Sequence, residues 1–94
     1  MSPADRKAKR YIVSGRVQGV GFRYVVRQQA QALGLAGWVR NLPDGRVEAF
    51  IEGPSAQLSE MESLLGEGPS MARVESVESS DAAPSLATDF VIRG

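Results

Sequence analysis

Ala36-Gly-Trp-Val-Arg-Asn41-Leu-Pro-Asp-Gly45-Arg-Val-Glu-Ala-Phe-Ile-Glu52 is the stretch on which the fold turns. Ala36–Asn41 reads as a strand with Trp38 and Val39 as its bulk. Leu42-Pro43-Asp44-Gly45 is a tight turn, because proline fixes one φ and glycine supplies a positive one. Arg46–Glu52 then alternates, with Val47, Ala49 and Ile51 on one face and Glu48, Phe50 and Glu52 on the other. Two strands joined by so short a turn must run antiparallel, since a parallel pair needs a crossover of a dozen or more residues. A doubly wound parallel sheet is thereby disfavoured.

Working upstream, Arg10–Val17 has the β-branched and aromatic content of a strand, and Gly15, Gly19 and Gly21 make a loop after it. From Phe22 the apolar positions Phe22, Val25, Val26, Ala30 and Leu33 share one helical face, and Gly34 stands where a left-handed cap belongs. Downstream, Gly53-Pro54 opens a second helix with proline at its first position. Leu58, Met61 and Leu65 form its buried stripe and Gly66 ends it. A weaker strand is expected near Ala72–Glu78, a loop over Ser79–Asp89, and a short last strand at Phe90–Ile92. Residues 1–9 are polar and unpatterned and read as a flexible leader, with one domain over 10–94. The order is β-α-β-β-α-β with a short extra strand. It predicts an α+β, ferredoxin-like two-layer sandwich, an antiparallel sheet with two helices on one face.

With 94 residues, 43% of them hydrophobic, the chain suffices for one domain with a small core. It contains no Cys and no His. Disulfides, thiolate or phosphohistidine nucleophiles and the commonest metal ligand are excluded with them. No apolar run approaches a membrane span and no signal peptide is evident, so a cytoplasmic protein without a membrane partner is expected. The formal net charge of +0 conceals a split. Residues 1–46 carry nine basic and two acidic side chains, and residues 47–94 carry two basic and nine acidic. A generally basic nucleic-acid coat is excluded, but a local anion site in the first half is not.

The topology says where such a site would lie. Strand one runs up to the glycine loop, helix one runs down, and strand two runs up again. The loop, the start of helix one and the hairpin turn therefore share one edge, with strands one and two roughly 10 Å apart across strand three. The loop over Val17, Gln18, Gly19, Val20, Gly21 and Phe22 feeds a helix N-terminus, where unpaired N–H groups and the helix dipole attract an anion. Glycines in a loop more often serve only the turn, and no nucleotide fingerprint is complete here: Walker A's Lys-Ser/Thr is missing, as is a glycine at 24. Arg23 shifts the balance. A cation in the first helical turn opposes the dipole at about 0.3–1 kcal/mol, and residues 6–43 contain no Asp or Glu to pair with it. An arginine beside spare N–H donors suits phosphate oxygens. Asn41 closes strand two across the edge; taken alone it serves the turn as a cap, and its alternative is to hold a water. Trp38 and Phe22 read as core residues. Phe50 is either a surface aromatic or part of a contact patch.

Val13-Ser-Gly-Arg-Val-Gln-Gly-Val-Gly-Phe-Arg23 resembles the first signature of the acylphosphatase family, and Gly37-Trp-Val-Arg-Asn41-Leu-Pro-Asp-Gly45-Arg-Val47, with Gly53 beyond, resembles the second. The resemblance spans residues 10–93. It implies a bacterial-type acylphosphatase that hydrolyses the carboxyl–phosphate bond of acyl phosphates to a carboxylate and inorganic phosphate. It implies that backbone N–H groups of Val17, Gln18, Gly19, Val20, Gly21 and Phe22 cradle the phosphate, that Arg23 binds it, and that Asn41 positions the attacking water. No metal, cofactor or covalent phosphoenzyme is implied. The expected partners are a small acyl phosphate and inorganic phosphate as product and competitive ligand, with no nucleic acid, acting on a monomer.

Two rivals share the fold. An RNA-recognition module needs exposed aromatics on its central strands, and only Tyr11 and Phe50 are candidates. An anion sensor, or an accessory domain of a larger carbamoyl-phosphate-handling protein, is the other; a chain running from its own Met1 to Gly94 favours a free-standing enzyme.

Overall fold

A computed structural model describes residues 6–94. The elements are β1 (Arg6–Arg16), α1 (Phe22–Ala32), β2 (Ala36–Asn41), β3 (Val47–Pro54), α2 (Ser55–Glu67), β4 (Arg73–Ala82) and β5 (Phe90–Ile92). The sheet order is β4-β1-β3-β2-β5. β1 pairs antiparallel with β3 and β4, and β2 antiparallel with β3. β3 thus separates β1 from β2, as the sequence predicts. The expected all-antiparallel sheet needs one correction: β5 pairs parallel to β2, with Gly37 opposite Phe90, so the sheet is mixed.

Strand alternation sorts the side chains. Tyr11, Val13, Val39, Val47, Ala49 and Ile51 point to the helical layer and are fully buried there. They meet Phe22, Val26 and Ala30 of α1, Leu58, Met61 and Leu65 of α2, and Phe90 of β5. Each Val, Ile, Leu, Met or Phe side chain among them taken out of water contributes about 1.5–3 kcal/mol. α1 ends in a Schellman motif: Leu35 N–H donates to the Ala30 carbonyl (2.8 Å) and Gly34 N–H to Gln31 (3.1 Å), with Gly34 at φ 71°.

Several boundaries move. β1 begins at Arg6, so residues 6–9 of the expected leader belong to the sheet; residues 1–5 lie outside the described residues. The reason is tertiary, since Ala8 is buried opposite Glu52 and Arg6 reaches that carboxylate. β4 continues to Ala82, four residues into the expected loop, because β1 offers partners that far. Pro54 caps α2 from outside instead of being its first residue, and α2 runs past Gly66 to Glu67, with Gly68 as its C-cap.

Trp38 is not a core residue. It lies on the open face of the sheet, stacked on Phe50 at 6.2 Å between ring centroids, which also answers the question about Phe50. The same face carries two buried carboxylates. Glu48, 2% exposed, accepts Arg40 Nε at 2.6 Å and also pairs with Arg10. Glu52, 0% exposed, accepts Arg6, the Ser85 and Ala87 amides, and the Ser85 hydroxyl.

Candidate functional site at the loop edge

Gly15 starts the edge. The β1–β4 register shifts between Ser14 and Gly15, and a Cβ at Gly15 would lie 2.1 Å from the Arg73 carbonyl oxygen. Only glycine permits this bulge, which turns the chain off the sheet into residues 17–21. Val17 (1% exposed) and Phe22 (2% exposed) face inward and anchor the two ends of the loop. Between them Gly21 takes a left-handed φ of 79° as the residue before α1, a conformation L side chains avoid.

α1 therefore begins with no capping side chain and no acidic residue in its first turn. Its first intrahelical bond runs from Val25 N–H to the Gly21 carbonyl (3.1 Å). The amides ahead of Val25 have no carbonyl within the helix to donate to, so they are available to an acceptor from outside. Arg23 stands beside them. It pairs with no Asp or Glu side chain among the described residues, and its Nη1 donates to the main-chain oxygen of Gly94 at 3.1 Å. Val17, Gly19, Gly21, Phe22, Arg23, Tyr24 and Ile92 line a cavity of about 160 Å³ at this point, a volume suited to a small anion rather than a drug-sized ligand. A larger hollow of about 260 Å³ between β1 and α2 is lined by Lys7 and Lys9, of which Lys9 pairs with Glu62 at 3.4 Å.

Asn41 sits across the edge, on the hairpin side rather than in the cavity wall. Two residues beyond buried Val39, it points to the helical side just past the last core layer. The capping role that the sequence alone favours is filled by another residue. Asp44 accepts Arg46 N–H (3.1 Å) and Arg46 Nε (2.8 Å), while Leu42 N–H to the Arg46 carbonyl (2.8 Å) and Gly45 N–H to the Leu42 carbonyl (3.2 Å) close the turn. The backbone bond to Arg46, against a small opposing effect of burial, holds the Asp44 carboxyl below its usual range. Asn41 Oδ1 is buried and accepts no hydrogen bond. Buried acceptors are rarely left so, and water is the usual partner.

The structure thus brings Val17, Gly19, Gly21, Phe22 and Arg23 into one cavity, with Val20 partly buried on the crest between them. Gln18 turns its side chain away to the hairpin, donating to the Leu42 (2.7 Å) and Arg46 (2.9 Å) carbonyls. Three contributors escaped the sequence reading: Tyr24, Ile92 and the Gly94 carbonyl. Tyr24 directly follows Arg23 in the first turn of α1, and that adjacency is its only signal in the sequence. Ile92 and Gly94 arrive only through the parallel pairing of β5 with β2, which no local pattern announces.

A ferredoxin-like sandwich with an arginine and spare amides at one edge offers donors of the kind a small anion requires. Comparison with known proteins narrows that reading. Residues 9–92 match the acylphosphatase family. An acylphosphatase of Koribacter versatilis (strain Ellin345) is 51% identical over 90 residues, covering 87% of this chain and 82% of its own. An acylphosphatase structure from Coxiella burnetii superposes with a TM-score of 0.93 at 36% identity, covering 99% of this chain and 100% of that one. The Bacillus subtilis acylphosphatase structure gives 0.91 at 38% identity, covering 94% and 99%. The chain belongs to the acylphosphatase family and is an enzyme of the acylphosphatase type, a hydrolase.

Proposed function

We propose that the enzyme cleaves acyl phosphates by direct in-line attack of a water held at Asn41, with the phosphoryl group seated on the 17–22 amides and Arg23. The observation that carries this reading is the buried, unpartnered Oδ1 of Asn41 at the edge that also holds Arg23. The water donates one hydrogen to that oxygen and directs a lone pair to phosphorus. A P–O bond forms to the water oxygen as the bridging P–O bond to the acyl group breaks. The leaving group departs as a carboxylate and needs no strong general acid.

Asn41 cannot accept a proton at neutral pH, so the proton of the attacking water passes to a phosphoryl oxygen and the substrate serves as its own base. Arg23 and the loop amides balance the charge on the equatorial oxygens, and the reaction is mainly one of positioning and electrostatics. No metal is assigned a part, in keeping with the family resemblance and with a chain that lacks His and Cys. The working form is taken to be a cytoplasmic monomer.

Phosphate release from benzoyl phosphate, wild type against Asn41→Ala, tests the reading. A kcat lower by about 10²–10³-fold, with inhibition by inorganic phosphate little changed, is expected of a group that acts in the transition state. Equal turnover by the two proteins removes Asn41 from the mechanism. Saturating EDTA leaves the wild-type rate unchanged if no metal takes part.

A further inference from the structure

We propose that Gln18 is a positioning residue whose side chain holds Asn41 in register with the phosphate-binding loop. This rests on the reading of Asn41 given above. The Gln18 amide bridges residues far apart in sequence, donating to the Leu42 carbonyl at 2.7 Å and the Arg46 carbonyl at 2.9 Å. Neither carbonyl depends on it. The Leu42 oxygen already accepts from Gly45 N–H and the Arg46 oxygen from Leu42 N–H, and Gln18 uses the second lone pair of each. Asp44 braces the turn from its own side. The hairpin is closed without Gln18.

What Gln18 contributes uniquely is the junction. Among the described residues no other hydrogen bond joins residues 17–21 to residues 41–46. The loop has need of one. A Cβ added at Gly19 or at Gly21 would meet nothing within 4 Å, so the crest is unpacked on those sides. Val17 and Phe22 set the depth of the loop in the core, but they do not set its distance from the end of β2. The Leu42 carbonyl lies one residue beyond Asn41, so a tie at that oxygen restrains the backbone that carries the carboxamide. A misplacement of about 1 Å between a reacting group and its substrate costs on the order of 10²-fold in rate.

The experiment compares Gln18→Ala, Asn41→Ala and the double variant with benzoyl phosphate, after melting curves show each to be folded. Gln18→Ala is expected to lower kcat by about 10–100-fold. KM and the inhibition constant for inorganic phosphate should stay within about threefold of wild type, because Arg23 and the loop amides remain. The double variant should be no slower than Asn41→Ala alone, since a positioning residue has no effect once the group it positions is gone. Losses that multiply overturn the proposal for Gln18, even where Asn41→Ala is slow. An Asn41→Ala protein with wild-type turnover overturns the water-holding reading beneath it.

Gln18→Glu supplies an independent readout. An ionised carboxylate cannot donate to two carbonyl oxygens, whereas the protonated acid can donate to one. Its kcat relative to wild type is therefore expected to rise as pH falls from about 7 to about 5. A ratio that stays flat over that range counts against the positioning role.

Discussion

Two sets of arginines in this small sheet are treated in opposite ways. On the open face, Arg6, Arg10 and Arg40 end on Glu52 and Glu48, carboxylates no more than 2% exposed. At the loop edge, Arg23 meets a single carbonyl oxygen and the acceptor of Asn41 is buried without a partner. In the first region both buried carboxylates are matched and contribute order and stability, although Arg6 Nε is itself buried without a partner. The second keeps donors and an acceptor that only something from solution can satisfy. Polar groups that a fold leaves unmatched at one edge are where chemistry with a ligand is to be sought.

The contrast can be broken from either side. The largest effect is expected for Arg23→Ala, which should reduce kcat/KM for benzoyl phosphate by about 10³–10⁵-fold and abolish protection by phosphate in thermal melts. Near-normal turnover would detach Arg23 from the reaction. Asn41→Ala should show the opposite sign for function and for folding. Turnover falls as stated above, while urea titration finds stability unchanged or raised by up to about 1 kcal/mol, because an unmatched buried acceptor has been removed. A clear destabilisation would mean that Asn41 is a structural residue after all.

On the open face, Glu52→Ala should leave kcat close to wild type and cost about 2–4 kcal/mol in urea titration, since it strips a buried carboxylate from Arg6 and from two backbone amides. A large loss of kcat with little loss of stability would contradict the division between the two regions. Acid should act on the same face. Burial raises the Glu48 carboxyl, but Arg40 and Arg10 outweigh it and hold it below the usual range. For Glu52, burial is likewise outweighed by the Ser85 amide, Arg6 and the Ala87 amide. A lowered folded-state pKa means stability that is present above the unfolded value of about 4.3 and lost as pH falls below it. Urea midpoints should therefore drop below about pH 4, and less so for Glu52→Gln. The smallest effect belongs to Arg46→Ala, which removes an exposed pair with Asp44 and should cost under about 1 kcal/mol.

The charge split in the sequence acquires a meaning here. The cations of the first half find their carboxylates in the second: Arg6 with Glu52, Lys9 with Glu62, Arg10 and Arg40 with Glu48. Arg40 shares Glu48 with Arg10, and Arg46 pairs with Asp44 of its own turn. Among the described residues Arg16, Arg23 and Arg27 pair with no Asp or Glu side chain, and Arg27 lies over the Tyr24 ring at 5.3 Å.

What the sequence determined by itself was whatever rests on local conformational chemistry. Pro43 and Gly45 impose the hairpin, Gly21 and Gly34 bound α1, and period-two and period-3.6 patterns assign most core faces; those patterns placed α1 at Phe22 and β2 at Ala36–Asn41 as observed. They also put Arg23 and Asn41 at one edge, because strand direction follows from short connections. Only the tertiary structure decided the rest. β1 and β4 extend past their recognisable ends because a neighbouring strand supplies partners. Trp38 leaves the core because alternation puts it opposite Phe50 on the open face. Glu48 and Glu52, polar by every local measure, are buried because arginines distant in sequence converge on them. Gln18 joins the two halves of the site for the same reason: a hydrogen bond between residues 18 and 42 depends on where the fold brings them, and no local pattern encodes that distance.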